Sequence, residues 1–180
     1  MLKLSKAVQR DQACIKEAFR DLVHVDREWS QDRTALTAEF VWIFEYYMIA
    51  EDLAVAPALD YYEGNGGERH PNLCHNYDLV NQELKQLYDL DPTAESWEAS
   101  ARAIWAKLEP LIIEETVTDL EEMESSMSDF AEKQAKKYDD VKKLLQKPYG
   151  DQGRPDDRKL LAMLEMPRGD LMAAIGVFGR

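Results

Sequence analysis

Along the first 149 positions apolar residues recur at intervals of three and four, the period of a helix, and nowhere alternate as a half-buried strand would require. The glycines agree: Gly64, Gly66 and Gly67 share one short stretch and the other five lie at or beyond Gly150. Asn65-Gly66 could turn a hairpin, but it is flanked by helical patterns. The first predicted helix runs from about 3 to 25, with Val8, Gln12, Ile15, Phe19 and Leu22 on one face. The second runs from about 34 to 62, with Phe40, Phe44, Tyr47, Glu51 and Ala54. After the glycine stretch and Pro71, a third carries Leu73, Tyr77, Val80, Leu84 and Leu87. Asp91-Pro92 reads as an N-cap with proline at the first helical position, opening a fourth helix with Ile104, Leu108, Leu111 and Glu115. Four such helices on short connections predict an all-α, antiparallel four-helix bundle over about 3–126.

A fifth, heavily charged helix over about 128–147 (Lys133, Lys136, Lys137, Asp139, Asp140) reads mainly as a solvated face outside the bundle. The segment 148–180 is rich in Gly and Pro but returns to apolar residues at Leu160, Leu161, Leu164, Leu171, Met172, Val177 and Phe178. That much apolar surface predicts a segment that packs back on the bundle, the alternative being a partner-binding extension. The 180 residues then form a single domain, as their number and 45% hydrophobic content allow.

Composition narrows the partners. With 22 Lys and Arg against 35 Asp and Glu the formal charge is −13, the wrong sign for nucleic acid or an anionic membrane surface. Apolar stretches are broken by Glu45, Glu51 and Asp52, too short to span a bilayer. The opening residues lead into an amphipathic helix rather than a secretory signal, and Cys14 and Cys74 form neither a metal-binding spacing nor a disulfide framework. A cytoplasmic location with two free thiols is the expectation.

Each helical stripe contains a polar residue where an apolar one belongs: Gln12, Tyr47 with Glu51, Tyr77, and Glu115. In an antiparallel bundle these can meet in one layer. A buried carboxylate is costly and favours its protonated form, so two of them need partners, a metal or a chemical task, unless the stripes are off by one position and both reach solvent. Paired carboxylates on bundle helices suggest a di-iron or di-manganese site, whose other ligands are inward histidines. The three histidines, His24, His70 and His75, fall on no inward stripe; His75 lies about 200° around its helix from Tyr77.

The spacing of these residues resembles the hemerythrin-like, or HHE cation-binding, family, and most of all its small fungal branch. Arg10-Asp11-Gln12 is similar to that family's Arg-Asp-His opening. Tyr47, then Glu51-Asp52 and Ala56-Pro57-Ala58, resembles its second-helix His, paired acids and Tyr-Pro-Ala turn. Asn72 and Tyr77 fall where third-helix histidines are expected, and Leu111, Glu114-Glu115 and Asp119-Leu120-Glu121 resemble a His, paired acids and Asp-Leu-Pro run. The resemblance covers roughly 6–125 and implies a hemerythrin-like bundle. It also implies that Gln12, Tyr47, Asn72, Tyr77 and Leu111 stand at metal-ligand histidine positions, while Glu51 and Glu115 keep those of the iron-bridging carboxylates. Pro110 deletes a backbone donor beside Leu111 and predicts a kink there.

Three functions remain open. The first is a metal-independent enzyme with no cofactor. A cavity lined by Trp42, Phe44, Tyr47, Tyr77, Ile104 and Leu111, with Gln12 and Asn72 as further substrate contacts, would hold Glu51 and Glu115 as a coupled acid/base pair beside Tyr47 and Tyr77. Cyclisation, isomerisation or dehydration of a small apolar substrate fits that equipment, and the fungal resemblance implies secondary metabolism. The second is a binding module without chemistry, for a small ligand or a basic partner. The third is a residual site for one metal ion held by Glu51, Glu115 and Tyr47. Nothing in the sequence fixes the oligomeric state.

Overall fold

The computed structural model describes residues 3–26, 28–63, 69–114 and 119–144, the side chains at 63, 69–74, 114, 143 and 144 excepted. These residues form α1 (Leu4–His24), α2 (Ser30–Ala50), a π-helical turn (Glu51–Val55), α3 (Ala56–Glu63), α4 (Arg69–Asp89), α5 (Glu95–Glu114), α6 (Glu121–Ser126) and α7 (Ser128–Leu144). No strand occurs among the described residues, and none of their helices is long and apolar enough to cross a membrane.

α1 packs on α2, α2 on α4, α4 on α5 and α5 on α1, so the four long helices close a ring around one core. α1 and α5 run antiparallel: Gln12 meets Ile112 and, one turn on, Lys16 meets Glu109. The predicted faces are buried where described, Val8, Ile15, Phe19 and Leu22 on α1 and Tyr77, Val80, Leu84 and Leu87 on α4. At one end the buried guanidinium of Arg33 closes two turns at once. Its Nε donates to Val25 O (3.0 Å), its Nη1 to Pro92 O (2.8 Å), and its plane lies 4.8 Å from the Trp97 ring centre. At the other end α1 lacks a side-chain cap of its own, and the Glu124 carboxylate fills that role by accepting from Ser5 N (2.8 Å) and Ser5 Oγ (2.9 Å). A carboxylate there satisfies open backbone donors and opposes the positive end of the helix dipole.

Several expectations are corrected. The second helix is not one α-helix from 34 to 62: it starts at Ser30 and is interrupted by the π turn, where Ala56 N–H donates to Glu51 O five residues back. Pro57 explains the interruption. It has no N–H for Leu53 O, and a wider turn removes the clash its ring would make with that carbonyl. α4 begins at Arg69, with Pro71 inside its first turn. α5 begins at Glu95 rather than at Asp91-Pro92, because Asp91 Oδ1 accepts from Thr93 N (2.8 Å) and Thr93 Oγ1 (2.7 Å) and so closes a separate turn. As the fourth stripe predicts, α5 continues through Pro110 to Glu114. Finally, α7 is more than a solvated face. Lys133, Lys136, Lys137 and Asp140 are exposed, yet Ala131, Ala135 and Tyr138 are buried and α7 packs against α1 and the π turn. Its Val141 packs against Ile49, as do Tyr46 and Leu53, and α2 is buried on nearly every side. The segment 148–180 lies outside the described residues.

Candidate functional site

α1, α2 and α4 bring three of the polar stripe residues together. Gln12, Tyr47 and Tyr77 are all buried. The Gln12 Nε2 group donates to Ile112 O (2.9 Å) and to Tyr47 Oη (3.2 Å), and the Tyr47 and Tyr77 hydroxyls lie 3.4 Å apart. A backbone carbonyl only accepts, so the contact to Ile112 O fixes which end of the Gln12 amide faces inward. Both amide hydrogens are thereby directed at oxygens. Tyr47 Oη accepts from Gln12, and in its contact with Tyr77 either hydroxyl can be the donor.

The rings are fixed as well. Tyr47 and Tyr77 meet edge to face (6.1 Å, 89°), as do Phe44 and Tyr77 (6.0 Å, 72°). Such pairs hold ring orientation beyond what burial alone does. Glu51 is 5% exposed and stands one turn beyond Tyr47 at the start of the π turn, where its N–H is shared between Met48 O and Tyr47 O. π turns of this kind are frequent at functional sites because they turn side chains out of the ordinary helical register.

The other predicted residues divide. Phe44 joins the array; Trp42 is buried but sits about 200° around α2 from Phe44 and meets the Tyr46 ring (5.8 Å) instead. Ile104 is buried along the α4–α5 seam, beside Leu87 and Lys107. On α5 the interior position belongs to Ile112, four residues after Leu108, and Leu111 is only half-buried. Glu115 and the Asn72 side chain lie outside the described residues, as do the His70 and Cys74 side chains. His24 and His75 are exposed, and His24 Nδ1 bonds its own helix at Arg20 O (2.6 Å). Cys14 is a free, exposed thiol. No three His, Cys, Asp or Glu side chains come together as a metal site among the described residues.

Sequence reasoning missed two groups. Glu45 is fully buried although it follows Phe44 in what looked like an interruption of the apolar run. Asp11 accepts from Tyr138 Oη (2.6 Å) and pairs with Lys142 Nζ; Tyr46 Oη donates to Lys142 O, and that ammonium lies 4.7 Å from the Tyr46 ring centre. Burial, and the Asp11 charge second, push the Tyr46 phenol above its ordinary value. The signal was present in α7, where Ala131, Ala135, Tyr138 and Lys142 follow at four, three and four.

No protein-family model and no curated protein matches this sequence. Among solved structures, the chain is similar to a hemerythrin HHE cation-binding domain-containing protein of Mycobacterium kansasii, with 17% identity, a TM-score of 0.67, and coverage of 90% of this chain and 99% of that one. At that identity the likeness establishes architecture: this chain has the fold of a hemerythrin-like, all-α bundle.

Proposed function

We propose that this chain is a hemerythrin-like bundle without the di-iron site, acting as a metal-independent acid/base enzyme of cyclase, isomerase or dehydratase type on a small apolar substrate. The observation that carries this reading is the buried Gln12–Tyr47–Tyr77 array beside Glu51. A hemerythrin-type iron pair calls for imidazoles and several carboxylates. Among the described residues the donor set at this layer does not suit it, because the Gln12 amide points its hydrogens inward and the groups beside it are phenols rather than imidazoles. As an acid/base set it is better equipped. Glu51 would hold or release the proton, and the Tyr47 and Tyr77 hydroxyls would orient a carbonyl or hydroxyl of the substrate and steady the charge that develops there.

A binding module without turnover is favoured by one observation, the edge-to-face packing of Phe44, Tyr47 and Tyr77, which uses interior space. One experiment separates these readings. Protein from cells grown with ample iron is analysed for metal, then incubated in D₂O with a pool of small apolar metabolites followed by mass spectrometry. The expected result is well under one iron per chain and a metabolite that isomerises, cyclises or loses water with the wild type but not with Glu51→Gln. Stoichiometric iron would overturn the metal-independent reading, and a compound retained but never consumed would leave the binding module.

A further inference from the structure

A second site lies at the end of the bundle, independent of the Gln12 layer. Val25, Asp26, Trp29, Asp32, Ala35 and Leu36 line a cleft of about 410 Å³ where α1 turns into α2, within the size range of small-molecule sites. Arg33, at this end of α2, is fourteen residues from Tyr47, about 21 Å along the helix. Trp29 is 62% exposed, but its backbone is fixed: its N–H donates to Asp26 O (3.0 Å), and its carbonyl accepts from Asp32 N (3.0 Å) and Arg33 N (3.1 Å). The indole is therefore presented by a hydrogen-bonded turn anchored on buried Arg33.

The floor of the cleft is apolar, and among the described residues that line it the charged groups are carboxylates. Asp26 and Asp32 are exposed, and among the described residues neither side chain is engaged in an ion pair or hydrogen bond. Across 26–33 the sequence has three acids to two bases, Arg27 and Arg33, of which Arg33 is committed to Val25 O and Pro92 O, in a chain of net charge −13. An indole face attracts cations, carboxylates add to that attraction, and the field of the whole protein raises the local concentration of positive ions. An anion meets like charge here, and a neutral apolar molecule uses half of what the cleft offers.

We propose that this cleft binds a small organic cation, an ammonium group on a short apolar chain, with the chain against Val25, Ala35 and Leu36 and the charge between the Trp29 indole and the carboxylates of Asp26 and Asp32. The full chain is titrated at constant ionic strength with n-hexylammonium, 1-hexanol and hexanoate, and binding is read from the indole N–H resonances and tryptophan fluorescence. The expected result is saturation by hexylammonium with a dissociation constant on the order of millimolar, as suits so small a ligand, at least about tenfold tighter than hexanol, with no binding of hexanoate. Trp29→Ala and the double variant Asp26→Asn, Asp32→Asn should each lose that preference while melting like the wild type, since all three positions are exposed. Glu132→Gln, an exposed acid on α7, should bind as the wild type does. Equal affinity for hexanol, a titration that never saturates, or unchanged binding in either cleft variant would overturn the proposal; the last would mark diffuse attraction to an acidic surface.

Discussion

At the scale of single residues, the interior is decided by what Gln12 can do that a histidine cannot. Its amide satisfies Ile112 O and Tyr47 Oη together, using two donors that a neutral imidazole does not have. Glu51 is the residue on which function and stability should part. Glu51→Gln keeps shape and removes both the titratable proton and the cost of burying a charge, so stability at pH 7 to 8 is expected to hold or rise while activity falls by roughly 10²- to 10⁴-fold. Chemical denaturation beside a turnover assay checks this, and a loss of several kcal/mol would mark Glu51 as a structural ion-pair member. Asp91 gives a pH prediction. The Thr93 hydroxyl first, and the Thr93 N–H second, hold its carboxyl below the ordinary value. A depressed pKa means stabilisation that is present above the unfolded-state value and lost as pH falls through the folded one. The melting-temperature gap between wild type and Asp91→Ala should therefore be open at pH 7 and close as pH drops below about 4. Gln12, Tyr47 and Tyr77 were legible as polar residues in apolar stripes. Glu45, Asp11 and Arg33 were not, because what receives Asp11 and Arg33 comes from positions as distant as Tyr138 and Pro92, which no local pattern reveals.

At the scale of elements, α7 and the π turn define each other. The four-helix ring leaves Tyr46 and Ile49 of α2 and Leu53 of the π turn to be covered by α7, which brings Val141 against Ile49 and adds a polar tie. That tie is the Asp11, Tyr138 and Lys142 group, with Asp11 and Lys142 side chains 9% and 17% exposed. Removing one partner of such a pair strands the other, so Asp11→Leu and Lys142→Met should each cost about 3 kcal/mol alone, whereas the two together should recover most of it. Urea denaturation of the four proteins closes the cycle; additive losses would show that the pair is not coupled. The length and face of α1 and the inward face of α4 could be read from period alone. The π turn and the shift from Leu111 to Ile112 could not. Both accompany prolines, whose missing N–H changes how the helix around it is bonded.

At the scale of the whole molecule, one core joins side chains of every long helix: Ile15 of α1, Phe44 of α2, Leu84 of α4, Leu108 of α5 and Tyr138 of α7. A chain cut after Met127 lacks Ala131, Ala135 and Tyr138 and exposes the surfaces of α1 and the π turn that α7 packs on. It is expected to lose the cooperative thermal transition of the full chain while keeping much of its helical circular dichroism. A transition as sharp as that of the full chain would show α7 to be an accessory.

The reach of Glu124 back to Ser5 also has a consequence for synthesis. The first turn of α1 is closed by a residue 119 positions later, and Asp11 meets Tyr138 only after 127. At roughly 5 to 20 residues per second, α1 leaves the ribosome on the order of ten seconds before its cap and its ion-pair partner exist. During that interval Leu4, Val8, Ile15 and Phe19 have α2 for cover but neither α5 nor α7. The nascent bundle cannot be finished helix by helix from its amino end: α1 must wait, sheltered by α2 or by a chaperone, until the last described helix has been made.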